Sequence, residues 1–247
     1  MTEAEWLEST DPMRLWVLLD RNASNRKRRL FGCACCRRIW SLIPDVRCRS
    51  AVITAEQFAD GDVSRVELTR AKAQAVAASV EHTGTKTRAR ATSAEQRGRV
   101  LTKRWAVGAC CSVVLAKASD VAMAGRSAAV AQQTHAVLQL GRPFGSPESA
   151  AMTDHLAEQE QRAQADLLRD IFGNPFRSAP FSRSWCSGTA VAIAERMYEC
   201  RDFSAMPILA DALQEAGCDG TDVLNHCRGS GPHARGCWVV DLVLGKK

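Results

Sequence analysis

The sequence predicts an all-α protein, a multi-helix array or bundle that ends in a compact C-terminal module of short helices. Three observations predict this class. Apolar residues recur at the spacing of an amphipathic helix along most of the 247-residue chain. Capping residues, glycines and prolines separate these stretches. No segment alternates apolar and polar residues for about six positions, as a half-buried strand would. A chain of this length can bury a core without relying on disulfides or metals to fold.

The N-terminal part is predicted to form consecutive helices. Asp11-Pro12 is a typical helix start, because proline is favoured at the first helical position. Ser64 and Glu67 have the spacing of a capping box, and Gly61 is placed to end the helix before it. The predicted helices cover residues 12–20, 24–40, 45–59, 64–80, 94–115 and 128–140, with Gly125 as an interruption before the last.

Residues 141–147 (GRPFGSP) form the strongest linker signal, since glycines and prolines cannot be accommodated together inside a helix. We therefore predict a basic N-terminal helical domain over 1–140 and a C-terminal helical module over 148–247. Helices of this module are predicted over residues 148–172, 189–200, 204–216, 221–227 and 233–244.

The positive charge is concentrated in the first half of the chain. Residues 1–124 contain 21 Lys and Arg against 13 Asp and Glu, whereas residues 125–247 contain 12 against 14. Clustered cations neutralise phosphates, so one hypothesis is nucleic-acid or polyanion binding by the basic segment 82–104, with a basic stripe around Arg37 and Arg38 as a further candidate. The alternative is a solvated basic surface. The residues that would bind are Lys86, Arg88, Arg90, Arg97, Arg99, Lys103 and Arg104.

The eleven cysteines are interpreted as reduced thiols, because the acidic N-terminus lacks the features of an export signal. We accordingly expect a cytoplasmic protein. The adjacent pairs Cys35-Cys36 and Cys110-Cys111 occur in apolar helical patterns, which favours packing in the core. No apolar run reaches the ~18 residues of a membrane span, so no membrane partner is expected.

One group of residues has the composition of a zinc site, although it contains no CxxC pair. Zinc takes sulfur and nitrogen ligands in a tetrahedron. The candidate ligands are Cys218, His226, Cys227, His233 and Cys237. His233 and Cys237 are four residues apart, which would place them on one face of the predicted last helix. In the alternative interpretation the cysteines pack in the core and the histidines stabilise helix ends. Zinc is the one cofactor that the sequence suggests.

Motifs of common enzymes are missing: there is no G-x-S-x-G nucleophile turn and no H-E-x-x-H zinc motif. The sequence thus gives no catalytic residue and favours a protein that is not an enzyme. Our leading hypothesis is a helical interaction or scaffold protein with another protein as its partner. The two alternatives are the nucleic-acid binder and a zinc-supported C-terminal binding module.

Long literal strings at both ends of the chain carry a resemblance to a known group of proteins. They are MTEAEWL (residues 1–7), ACCRRIW (34–40), LLRDIFGNPF (167–176) and HCRGSGPHARGCWVVD (226–241). With these strings the chain resembles a large paralogous family of uncharacterised planctomycete proteins. The resemblance implies a bacterial, cytoplasmic protein and supplies no catalytic or binding residue.

Overall fold

The structure is a computed structural model that describes residues 1–19, 22–83, 93–113, 118–139 and 147–246. Within these ranges the chain forms twelve α-helices, two short 3₁₀ turns and no β-strand, which confirms the all-α prediction. None of the described helices combines the length and apolarity needed to cross a bilayer. The helices are α1 (Glu3–Glu8), α2 (Pro12–Leu19), α3 (Asn25–Arg38), α4 (Val46–Asp60), α5 (Arg65–Thr83), α6 (Ala94–Val113), α7 (Ala118–Gln139), α8 (Pro147–Phe172), α9 (Gly188–Cys200), α10 (Met206–Glu215), α11 (Thr221–Arg228) and α12 (Trp238–Leu244).

Several helix ends lie where capping residues predict them. The backbone N–H of Ser64 donates to Glu67 Oε2 at 2.8 Å, and the N–H of Glu67 donates to Ser64 Oγ at 3.3 Å, which forms the predicted capping box of α5. Gly61 has a φ of 84°, in the left-handed region that favours glycine, and ends α4. Helix α1 was not predicted, although Thr2 and Glu5 form the same kind of box at its start.

Two helices differ from the sequence prediction. Helix α7 runs through Gly125 without interruption. The glycine provides room for α8, since a Cβ there would lie 2.7 Å from Gln164 Oε1. Helix α12 begins at Trp238 and not at residue 233. Gly236 has a φ of 98°, so the backbone turns before the helix can start. His233 and Cys237 consequently lie in the connection 229–237 and not on one helix.

Two clusters of buried apolar side chains form the core. The first contains residues between Trp6 and Ile171, and the second contains residues between Ala190 and Val243. Helix α8 contributes Leu168 and Ile171 to the first cluster. The predicted division into domains over 1–140 and 148–247 stays a prediction. Helices α9 to α12 build the second cluster.

The two clusters are joined by charged and polar side chains that we call the charge junction: Arg26, Glu56, Asp60, Tyr198, Arg201, Arg235 and Asp241. Arg26 on α3 donates to Asp241 on α12 at 2.6 Å and to the Tyr198 hydroxyl at 2.7 Å. The side chain of Asp60 on α4 is fully buried and accepts hydrogen bonds from Tyr198 and Arg235 at 2.8 and 2.9 Å. Part of the basic face of α3 is therefore engaged with carboxylates.

Candidate metal centre

Four side chains that can ligate a metal meet between α8 and the C-terminal module. They are Asp170 in the last turn of α8, His226 in the last turn of α11, and His233 and Cys237 in the connection 229–237. One potential ligand atom from each lies within 4.8 Å of every other. His226 Nε2 is 3.2 Å from both Asp170 Oδ1 and Cys237 Sγ, and His233 Nδ1 is 2.8 Å from Asp170 Oδ1. We call these four residues the metal-site cluster.

Local structure explains how the connection 229–237 reaches α8. The backbone N–H of Ala234 donates to Asp170 Oδ2 at 2.9 Å, which fixes the connection to the end of α8. Gly236 packs tightly against α3, since a Cβ at this position would lie 2.9 Å from Leu30 Cδ1. Cys237 follows as the residue that precedes α12, with its side chain fully buried.

Burial and charge set the protonation of two members of the cluster in opposite directions. Burial opposes ionisation of Asp170, but hydrogen bonds and charge from His226 and His233 outweigh it and hold the pKa of Asp170 below its ordinary value. Burial, reinforced by the neighbouring Asp170, raises the pKa of the Cys237 thiol well above its ordinary value. In the absence of a metal the cluster thus contains a carboxylate and a neutral thiol at neutral pH.

Three of the five candidate ligands from the sequence, His226, His233 and Cys237, come together in this cluster. Cys218 and Cys227 do not join it. Both thiols are buried in the second apolar cluster, where burial raises the pKa of Cys227 to about 12.

The sequence prediction missed Asp170. It is 56 residues before His226, and no local motif links it to the histidines. One sequence feature points to Asp170: it lies about one turn before the helix-ending residues Gly173-Asn-Pro. Side chains in the last turn of a helix can contact another element that packs against the helix end.

The N-terminal cysteines belong to the core. Cys33, Cys35 and Cys36 on α3 and Cys110 on α6 are buried in the first apolar cluster. Burial raises the pKa of Cys33 and Cys35, so these thiols stay protonated at neutral pH. Among the residues described by the structure, no second set of three metal-ligating side chains is as close as the metal-site cluster.

The metal-site cluster lies between two clefts. His226 lines one of about 560 Å³, together with Trp238 and Lys27. His233 lines the other, of about 600 Å³, together with Arg235.

The basic residues proposed for nucleic acid fall in two groups. Lys86, Arg88 and Arg90 lie outside the described residues. The other four, Arg97, Arg99, Lys103 and Arg104, are exposed on α6.

These four cations of α6 do not form one stripe. At about 100° per residue, the positions 97 and 104 share one face of the helix. Positions 99 and 103 share another, about 100–160° away. Arg99 is also paired with Glu95 at 2.6 Å. Nucleic-acid binding by this segment stays a prediction.

We compared the chain with protein families, curated proteins and solved structures. No family model matches the chain, and neither a curated protein nor a solved structure matches it.

Proposed function

We propose that this chain is a non-enzymatic helical binding protein whose C-terminal module is held in place by a zinc ion bound at the metal-site cluster. The observation that carries the proposal is the meeting of four ligand side chains from α8, α11 and the connection 229–237. A zinc ion there would tie the helices of the second apolar cluster to α8, which packs in the first.

Three of the six separations between donor atoms are close to those around a small tetrahedral ion, and the other three are at most 4.8 Å. Zinc bonds of ~2.0–2.3 Å place donor atoms at the corners of a tetrahedron ~3.3–3.6 Å apart. The two contacts of His226 at 3.2 Å are close to this separation, and the 2.8 Å contact between His233 and Asp170 would open by about half an ångström on binding.

The donor set favours zinc over calcium or magnesium. Two imidazole nitrogens and a thiolate are ligands that zinc prefers, whereas calcium and magnesium take oxygen ligands. Four protein donors fill a tetrahedron, which is typical of a structural zinc ion, since catalytic zinc keeps one position open for water or substrate. The competing interpretation is a metal-free network in which Asp170 accepts hydrogen bonds from both histidines.

Metal content and cobalt spectroscopy of the purified protein test the proposal. We expect about one zinc per chain, and in the cobalt-substituted protein a thiolate-to-cobalt absorption band in the near ultraviolet. Cys237→Ser should abolish this band. Cys227→Ser is the matched control, because it removes a buried thiol of the same module outside the cluster and should keep the band. A folded protein that binds neither metal, or equal spectra for the two variants, would support the metal-free network and contradict the proposal.

A second candidate function, interaction with another protein, is favoured by an exposed apolar stripe on α5. Val66, Val76 and Val80 are 68%, 44% and 65% exposed. At about 100° per residue they fall within about 80° of one another on the helix surface. Ala73 and Ala77, also exposed, lie in or beside the same arc and would let another helix approach closely.

The partner we propose for this stripe is a second copy of the chain, since a two-fold contact brings the same stripe of both copies together. Sedimentation velocity from about 1 to 100 μM should show a concentration-dependent dimer. Val80→Glu should abolish the dimer without unfolding the protein, because position 80 is exposed. Gln74→Glu changes an exposed residue of α5 outside the stripe and should leave the dimer unchanged. A monomer at every concentration would contradict this second candidate.

The remaining expectations from the sequence are proposals of the same kind. We propose membership of the planctomycete family, and with it a cytoplasmic location, on the strength of the literal strings described above.

A further inference from the structure

The cleft of about 600 Å³ beside His233 receives its walls from both parts of the fold. Helices α3, α4 and α8 line one side, and the end of α9 with the connection 229–237 lines the other. Its volume is within the ~300–1,000 Å³ typical of sites that bind small molecules.

Four arginines line this cleft, Arg37, Arg38, Arg201 and Arg235, and Glu56 is the one carboxylate among its described lining residues. Glu56 is only 2% exposed, whereas the side chains of Arg37 and Arg201, which both bind it, are 27% and 30% exposed. Arg38 repeats this arrangement, 31% exposed, with the buried Glu160 as its partner. The carboxylates consequently lie behind the guanidinium groups, and the positive ends are on the accessible side.

Each of these guanidinium groups uses one edge for its carboxylate. Arg37, Arg38 and Arg201 donate through Nε and Nη2, at distances of 2.6–3.2 Å. Among the described residues, none accepts a hydrogen bond from their Nη1 groups. Three strong donors are therefore available to a ligand.

Two of the guanidinium groups are close neighbours. Nη2 of Arg37 and Nη2 of Arg201 lie 2.8 and 2.6 Å from the same oxygen, Oε2 of Glu56. One carboxylate thus faces two cations, which leaves an excess of positive charge where an anion could contact both arginines.

His233 also lines this cleft. Its Nδ1 faces Asp170, while its Nε2 is buried and has no hydrogen-bond partner among the described residues. A buried polar atom without a partner costs stability, but this one is covered, so a ligand would reach it only after a small movement of the wall.

We propose that this cleft binds a small organic phosphate, a phosphomonoester. The Nη1 groups of Arg37, Arg38 and Arg201 receive its phosphate, because guanidinium groups match the geometry and double charge of a phosphomonoester. Phe203 and Leu167, which also line the cleft, contact its apolar part. This site goes beyond the proposed zinc-supported function and does not depend on the metal.

Isothermal titration of the full chain with phenyl phosphate tests the proposal, with inorganic phosphate and phenol as the two halves of the probe. We expect phenyl phosphate to bind with a Kd below about 1 mM, inorganic phosphate to bind more weakly, and phenol not to bind. The affinity should fall with added salt, since the attraction is between charges. No binding at about 10 mM phenyl phosphate, or equal affinity for inorganic phosphate, would overturn the proposal.

Matched variants locate the site. Arg201→Gln should weaken binding about tenfold with unchanged metal content, which separates this test from that of the zinc site. Arg228→Gln removes an exposed arginine on α11 away from the cleft, and should change the affinity by less than about twofold.

Cys200 on the cleft rim provides a second pair of variants that leaves every ion pair intact. Cys200→Asp should weaken binding by repulsion, and Cys200→Ser should not. Equal affinities for the Asp and Ser variants would overturn the assignment of this cleft.

Discussion

Replacement of Asp60 by asparagine tests whether the charge junction holds the two apolar clusters together. The Asp60 carboxylate is fully buried and contacts Arg26, Tyr198 and Arg235 at 2.8–2.9 Å. Asparagine has nearly the same shape but no charge, and its amide turns a donor toward other donors. Arg26 retains Asp241 as a partner, whereas Arg235 retains the face of the Tyr198 ring and, at 3.7 Å, the exposed carboxylate of Asp62.

The loss of one partner from a buried ion pair costs about 3–5 kcal/mol. We therefore expect Asp60→Asn to lower the free energy of unfolding by that amount in urea titrations followed by circular dichroism and tryptophan fluorescence. Asp62→Asn is the matched control; because Asp62 is 55% exposed, its loss should cost no more than about 1 kcal/mol. A value for Asp60→Asn within about 1 kcal/mol of the control would refute the reasoning.

Three further predictions concern backbone turns, caps and thiols. Gly236→Ala should lower the free energy of unfolding by about 1–3 kcal/mol in the same assay, because φ is 98° and α3 leaves no room; Gly231→Ala, with no atom within 4 Å of a new Cβ, should have little effect, and equal losses would contradict the steric argument. Ser64→Ala removes the cap of α5 and should lower the melting temperature by about 2–4 °C in a thermal scan; an unchanged transition would argue against the cap. In native protein a thiol reagent should label the exposed Cys200 within seconds and leave Cys35 unlabelled, since burial raises the pKa of Cys35; rapid labelling of both would contradict the packed core.

The fold was predictable where the determinants are local. Ser64 with Glu67, and Gly61, act on their own helix ends, so the residues themselves indicate where α5 begins and α4 ends. Gly125 was misread because its role is set by Gln164, which lies 39 residues further along the chain and donates to the Gly125 carbonyl oxygen. A glycine can end a helix, or it can lie inside a helix and allow a second helix to approach closely. Tertiary packing decides which of the two occurs.

The candidate site was predictable only within the last segment of the chain. His226, His233 and Cys237 are close in sequence, and their chemistry alone suggested a metal. Asp170 required knowledge that the end of α8 packs on the connection 229–237. Cys227 follows His226 directly but lies outside the cluster, because adjacent residues on a helix point in different directions, and only the packing shows that His226 is the one that faces α8.

The polar character of the charge junction has a consequence for the order of folding. Each apolar cluster can collapse while Arg26, Asp60 and Asp241 keep their hydration shells, since these side chains lose water only when the clusters meet. Docking therefore combines a large dehydration cost with the formation of several directional bonds at once. We expect this docking to be the slow, late step of folding. The directional bonds should also fix a single relative orientation of the two clusters, which a purely apolar, non-directional contact would not define.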